Sequence, residues 1–429
     1  MATTASAPTN DSVTDASVSA PTGSAKRQLH GWEWVKWRVL KPLASLQLTV
    51  VLFALSTALV FFGTLAQVDT GIWTVVNDYF RSAVVLVPLQ IFFPRTISVP
   101  GAFPFPGGWL LGGLLLVNLF AAHTVRFKLS WKRAGIIMTH LGLIVLMLGE
   151  LITGLFAIEG TMTIEQGQSS NFVQHDRYAE LVVIDNFTDP KVEDVVAIPQ
   201  SRLRPNTTIS DPQLPFTVEV IQYMSNSVLL DVNKSKAKAG SRNLADRGKG
   251  LQAVAVPKAE VPGASQEQMV DVPSCYVRLR EPGTDRVLGT WLMCVWLDNQ
   301  PVEVGGKTYQ VALRWKRTYR PFEMHLIEFR FDRYEGTEIP KNYSSRIRLV
   351  DPERNVDREV LIRMNEPLRY RGETFFQSSF DKRTEKTTIL QVVRNPGWTL
   401  PYISCAMVTL GLMVHFCMSL ATFLRRTKP

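Results

Sequence analysis

Hydrophobic and polar positions divide the chain into two regimes. Four windows, Leu43–Ala66, Trp109–Val125, Ala134–Ile158 and Trp398–Leu424, are apolar on every side. Each is long enough to cross a hydrocarbon core, which takes about 20 residues. The first, second and fourth contain no Asp, Glu, Lys or Arg, and the third carries only Glu150, near its distal end. A fifth apolar run, Ala83–Pro94, is too short to span and holds two prolines, so it is read as interfacial or re-entrant. Between the third and fourth windows the pattern shortens to alternating runs such as AELVVIDNF, FTVEVIQYM, KTYQVALRWK, MHLIEFRFDRYE, SSRIRLVD and TTILQVVRNPG. A period of two with turn residues at short intervals predicts an antiparallel sheet, as a sandwich or two packed sheets. The run CYVRLREPGTDRVLGTWLMCVWL predicts a hairpin about Pro282-Gly283-Thr284-Asp285.

The expected architecture is a membrane protein with four transmembrane α-helices, three N-terminal and one C-terminal. A large, mostly antiparallel β domain lies between spans three and four. The expected divisions are a disordered, basic tail over 1–42, a three-helix region over 43–158 with an interfacial segment at 67–108, the β domain over 159–395, and the last span with its tail over 396–429. Residues 1–25 are rich in Ala, Ser, Thr and Pro and lack an apolar core for a cleavable signal peptide, so the first span would act as its own uncleaved signal.

Charge adds direction. The net charge of +9 has no aromatic-basic motif beside it, which argues against nucleic acid and for loops beside a lipid surface. Lys26, Arg27, Lys36, Arg38 and Lys41 precede the first span; Arg126, Lys128, Lys132 and Arg133 join spans two and three; Arg425, Arg426 and Lys428 follow span four. With four spans these three clusters share one side, so both termini are expected in the cytoplasm and the β domain outside it. Residues 233–250, NKSKAKAGSRNLADRGKG, have no apolar period and six basic residues. That is most simply a solvated loop, or one near headgroups or an acidic partner.

Candidate chemistry is sparse. The four cysteines, Cys275, Cys294, Cys405 and Cys417, form no CxxC, so thiol-disulfide exchange has no support. A hairpin centred on Gly283-Thr284 would pair Cys275 with Leu292 and set Cys294 opposite Pro273, a two-residue offset that favours buried free thiols over a bridge. Of six histidines, His30 is expected to be solvated, and His175 and His325 to be structural or at the surface. His123, His140 and His415 fall within apolar windows, all toward the cytoplasmic side. His123 is two residues from the end of its span, and His140 is six residues, roughly 9 Å, into the next. A histidine bonded to a neighbouring helix would explain each one alone. Three at comparable depth point instead to haem, whose iron takes axial imidazoles within an apolar slot.

The stretches LASLQLTVVLFALSTALVFFGTLAQ and VNLFAAHTVRFKLSWKRAGIIMTHLGLIVLMLGELITGLFAIEGTMTIEQGQ resemble the ResB-type cytochrome c biogenesis proteins of the system II pathway. So do GTEIPKNYSSRIRLVD, IRMNEPLRYRGETFFQSSFD and the closing NPGWTLPYISCAMVTLGLMVHF. The AAH…RFK…THLG portion is particularly similar to the ResB half of fused ResB–ResC synthetases. The resemblance implies a multi-pass protein of the bacterial cytoplasmic membrane that exports haem b and helps attach it to apocytochrome c. It implies a ResC-type membrane partner and allows a thioredoxin-like reductant. This chain would be a non-autonomous half of a haem lyase, with no catalytic residue of its own. It implies that His123 is one axial ligand and that the partner supplies the other, with His140 and then His415 as further haem-contacting candidates. The chain lacks the tryptophan-rich WWD motif and flanking outer histidines, which belong to ResC. Two alternatives stay open: a b-type cytochrome subunit for electron transfer, which usually needs four histidines at two depths, and an anchor without haem for an outer β domain.

Overall fold

The computed structural model describes residues 34, 36–94, 96–126, 130–189, 192–232, 243–263, 270–284, 286–337, 340–381 and 384–426. The tail before residue 34 with His30, and most of the basic stretch 233–250, lie outside the described residues.

Four helices are long and apolar enough to cross a membrane: α1 (Leu46–Ala66), α2 (Gly108–Arg126), α3 (Ala134–Phe156) and α4 (Leu400–Arg426). They pack as two pairs, α1 with α2 and α3 with α4. In the first pair Asn118 is buried and acts as a clamp. Its Nδ2 donates to the carbonyls of Leu43 (2.5 Å) and Ser45 (3.2 Å), and its Oδ1 accepts from Thr49 Oγ1 (2.7 Å). In the second pair Gly135, Gly142 and Gly149 recur every seven residues along α3 and bring its backbone against α4. Small residues at this spacing are how spanning helices approach closely without a hydrophobic drive from water.

Between α1 and α2 the run expected to be interfacial or re-entrant forms a β-hairpin, β1 (Val84–Pro88) with β2 (Ala102–Pro106). Val85 and Val87 are buried against Leu52 and Leu59 of α1, while Val84 and Leu86 face out. An apolar run need not be helical: here alternation of two apolar faces, one packed and one exposed, gives a strand.

The remaining strands are β3 (Ile158–Glu165), β4 (Ser169–Asp189), β5 (Val192–Pro199), β6 (Thr207–Ile209), β7 (Thr217–Met224), β8 (Ser227–Asp231), β9 (Ala253–Pro257), β10 (Ser274–Arg280), β11 (Val287–Cys294), β12 (Gln300–Val304), β13 (Lys307–Arg333), β14 (Pro340–Asp351), β15 (Val356–Arg363), β16 (Leu368–Tyr370), β17 (Glu373–Phe380) and β18 (Thr387–Arg394). A ten-stranded sheet runs β15-β14-β13-β4-β3-β18-β17-β16, with β12 also on β13 and β5 on β4. A four-stranded sheet runs β11-β10-β7-β6, and β8 pairs with β9. Every strand ladder among the described residues is antiparallel.

Two apolar cores result. Leu181, Val183, Val218, Val277, Leu279, Val311 and Leu313 lie between the four-stranded sheet and the first half of β13 with its neighbours. Met162, Ile164, Met324, Ile347, Leu349, Phe375 and Leu390 fill the second, around the other half of β13. Strands β4 and β13 therefore serve both cores. A straight strand of 27 residues would run about 90 Å. Instead β13 shifts register against β4 between Trp315 and Arg317 and again between Tyr319 and Met324. Pro321 lies in the second shift and has no N–H for a ladder.

The cysteine hairpin differs from the simple count. Cys275 stands opposite Met293 and Cys294 opposite Ser274. A bulge places Leu279 opposite Gly289 and Arg280 opposite Val287, shifting the register by one residue. An offset of one sends the two thiols to opposite faces of the sheet. Both are free and buried.

The β domain is tied to the helices at two places. Strands β3 and β18 pair over their full length; β3 follows α3 after Ala157 alone, and β18 is joined to α4 by the five-residue turn 395–399. Near the end of α1, Thr74 Oγ1 donates to Glu260 (2.6 Å), Gly263 N donates to Thr70 O (3.1 Å), and the Arg177 guanidinium stacks on Trp73.

Candidate functional site

The rotation of each helix pair decides which side chains face the other pair. Asn118 turns toward α1, and His123, five residues on, points about 140° away from it at 100° per residue. Gly142 turns toward α4, where its carbonyl accepts from Ser404 Oγ at 2.7 Å; His140, two residues earlier, points about 160° away. The two imidazoles therefore meet where α2 approaches α3. Their ring centroids are 5.2 Å apart at an interplanar angle of 63°.

Each ring is fixed in the same way. His123 Nδ1 lies 2.9 Å from Leu119 O and His140 Nδ1 2.8 Å from Ile136 O. A carbonyl only accepts, so Nδ1 is the donor in each ring, and Nε2 keeps the lone pair in the neutral imidazole. This is the usual arrangement behind a metal-ligating histidine, in which a hydrogen bond at one nitrogen sets the tautomer that presents the other. His123 Nε2 is shielded from solvent.

This pair does not suit a metal held by protein ligands alone. Among the described residues no three His, Cys, Asp or Glu side chains converge. A porphyrin supplies four of the six ligands of its iron, so one or two imidazoles suffice. The pair cannot clamp one iron between its own rings as they stand. Imidazoles on opposite faces of a porphyrin keep their centroids about 6 Å apart, each nitrogen about 2 Å from the metal. At 5.2 Å in edge contact, the rings leave no space for the macrocycle. One ring serving as a ligand, with the second beside it, fits this geometry.

His415 is not part of the pair. Its backbone rests on Gly135, where an added Cβ would stand 2.5 Å from His415 N, and its ring neighbours Phe416. Gly135 is five residues, about 7.5 Å, from His140 along α3. His175 is bound at both nitrogens, Nδ1 to Glu159 O (3.1 Å) and Nε2 to Thr318 Oγ1 (2.9 Å), and burial lowers its pKa. His325 Nδ1 meets Ser169 Oγ at 3.2 Å. Both fit the structural role expected of them. A cavity of about 590 Å³ lined by Asp69, Gln90, Lys258 and Glu260 lies at the opposite end of the helices from the histidine pair.

The structure adds residues that the sequence reading did not single out. Asn118 and Thr49, and the glycines of α3, set the helix rotations that bring the imidazoles together. The seven-residue glycine spacing was the available signal for the second pair. A lone Asn in an apolar window was the signal for the first.

The ResB-like family model matches residues 125–219 and 299–389, which takes in His140, His175 and His325 and begins two residues after His123. The chain is 37% identical over 119 residues to Protein NrfI of Wolinella succinogenes. That alignment covers 28% of this chain and 12% of the relative, so the chain accounts for a small part of the length of the protein it matches.

Proposed function

The chain is a ResB-type protein, and from that premise we propose that it serves cytochrome c biogenesis as the haem-handling half of a two-protein synthetase. Haem is its cargo. His123 provides one axial ligand, a ResC-type partner provides the opposing one, and His140 lies alongside as a contact. The observation that carries this reading is the edge-to-face His123–His140 pair, with both Nδ1 atoms held by backbone carbonyls and no room between the rings.

Charge supports one orientation. Lys132, Arg133, Arg425 and Arg426 cluster at the end of the helices that holds the histidines, while Trp109, Trp398 and Tyr402 stand exposed at the other end. The basic cluster supports an orientation with the histidine end at the cytoplasmic face and the β domain beyond the membrane, and exposed aromatics at both ends, Trp131 among them, fit two membrane interfaces. His123 then receives haem from the cytoplasmic side. With Nε2 shielded, α2 and α3 must separate to bring it to the iron. The β domain holds apocytochrome near the partner's outer site, where reduced cysteine thiols of the apocytochrome add to the haem vinyl groups. Cys275 and Cys294 are buried, so neither supplies a thiol to that step.

The test is haem content and absorption spectrum of the purified complex with the ResC-type partner. His123→Ala is expected to lose most of the haem or shift its spectrum, and His140→Ala to do so to a smaller degree. Full haem content with an unchanged spectrum in His123→Ala would defeat the assignment.

A further inference from the structure

The two helix pairs touch at the histidines and part beyond them. Gly112 and Gly113 on α2, and Gly154 on α3, have open space where a Cβ would stand, with no atom within 4 Å. Gly112 is eleven residues from His123, and Glu150 is ten residues from His140 on the antiparallel neighbour. At 1.5 Å per residue both lie about 15 Å from the histidine contact, at one depth. At 100° per residue Gly112 returns to within about 20° of the His123 direction, Gly154 to within about 40° of the His140 direction, and Glu150 to within about 80° of it. The halves of α2 and α3 nearest the β domain thus flank a groove with glycine on both walls and one carboxylate beside it.

Glu150 is the only acidic or basic residue in the apolar window that contains it. It lies six residues from the end of α3, is exposed, and makes no hydrogen bond or ion pair among the described residues. A carboxylate facing acyl chains is costly, and intramembrane carboxylates are generally met by another polar group. None of the four apolar windows holds a Lys or Arg, so this chain cannot meet it from within its own spans, and a second copy would bring carboxylate toward carboxylate. We propose that the groove between α2 and α3 receives one spanning helix of a different membrane protein, and that this helix carries a Lys or Arg that pairs with Glu150. The glycines let the incoming backbone approach, and the carboxylate fixes its depth and register. This surface is separate from haem binding at His123, and its test reads helix association alone.

The full chain is reconstituted in phosphatidylcholine vesicles with a donor label, and binding is read by energy transfer to a synthetic Leu/Ala helix of about 24 residues. One probe carries a single Lys about six residues from its outer flank; the other carries Leu there. The Lys probe is expected to bind about tenfold tighter or more. Glu150→Gln should erase that preference and Glu150→Asp retain it, while Gly112→Leu with Gly113→Leu should weaken both probes. Equal binding of the two probes by the unaltered chain, or a preference that survives Glu150→Gln, overturns the proposal. So does self-association of labelled copies that Glu150→Gln abolishes, because it would assign the groove to a second copy.

Discussion

Ser404 donates its hydroxyl to the carbonyl oxygen of Gly142 at 2.7 Å, a contact that depends on Gly142 having no side chain. A Cβ there would stand 2.7 Å from Val408 Cγ2 and 3.1 Å from Ser404 O. The same contact fixes the rotation of α3, and with it the direction of His140.

Alanine at three of the four α3 glycines should separate close approach from helix propensity. Gly135→Ala would press on backbone, His415 N at 2.5 Å and Gly411 O at 2.6 Å, which cannot swing aside. Its expected cost is about 1–3 kcal/mol. Gly142→Ala should cost less, because Val408 can move its methyl. Gly154→Ala meets open space and should be neutral or gain up to about 1 kcal/mol from helix propensity. Thermal denaturation in detergent ranks the three, and Gly154→Ala as the most damaging would contradict the packing described.

Arg320 and Glu373 form a bidentate pair in the β domain, Nη2 to Oε1 at 2.6 Å and Nε to Oε2 at 2.8 Å, with side chains only 14% and 5% exposed. Arg320→Met leaves a buried carboxylate without its counter-charge and should cost about 3–5 kcal/mol. Arg320→Met with Glu373→Leu should recover most of that loss. Urea denaturation of the three proteins checks it; equal instability of the single and double variants would show that packing, not the stranded charge, dominates.

Asp351 accepts from Tyr370 Oη (2.6 Å) and from Arg371 Nε and Nη2 (2.7 and 2.8 Å). Chiefly through the Arg371 hydrogen bonds, its carboxyl is pulled from 3.8 to about 2. A carboxyl whose folded pKa is depressed stabilises the fold above its unfolded value and loses that contribution as pH falls through the folded one. The melting temperature of the unaltered protein minus that of Asp351→Asn should therefore be flat above about pH 5 and shrink as pH falls toward 2. A difference independent of pH across that window would remove the charge from the explanation. Arg371 also holds a left-handed backbone at φ 48°, followed by Gly372 at φ 78°. Arg371→Gly should accordingly be milder than Arg371→Ala by about 1 kcal/mol.

Cys275 and Cys294 should behave as inert core residues. Burial raises both thiol pKa values, which disfavours the reactive thiolate. Iodoacetamide should spare both in the folded protein and modify both after denaturation, with no change in gel mobility on reduction. Mass spectrometry of the alkylated peptides reads the result, and a bridged 275–294 peptide would contradict the register.

Much of the architecture was legible because burial in lipid demands uninterrupted apolar windows, and α1 to α4 lie within three residues of the expected bounds at each end. The join of α3 to β3 was not, since Ile158 is as apolar as the helix it follows. Nor was the continuity of β13: KTYQVALRWK and MHLIEFRFDRYE look like two strands because Pro321 interrupts the period, although one strand bends through both. Strand β5 went unmarked, and the cysteine register slipped by one at a bulge that no count along the hairpin reveals. The short connection between α2 and α3 brings His123 and His140 to the same end of neighbouring helices. Their edge contact depends on helix rotations set by Asn118 and the α3 glycines.

The ladder from Ile158↔Arg394 to Glu165↔Thr387 continues the α3–α4 pair into the β domain, with one residue between α3 and β3 and five between β18 and α4. Strands β4 and β13 then run through both cores. Torque applied to the β domain, as by a docking protein, is therefore carried as rotation of α3 and α4 together. The α1–α2 pair is fastened to the same domain by a few side-chain and loop contacts near Thr74 and Trp73, and it is the part that can lag. Relative twist between the pairs is relieved where they touch, so a load on the domain would pry at the His123–His140 contact across the full depth of the membrane.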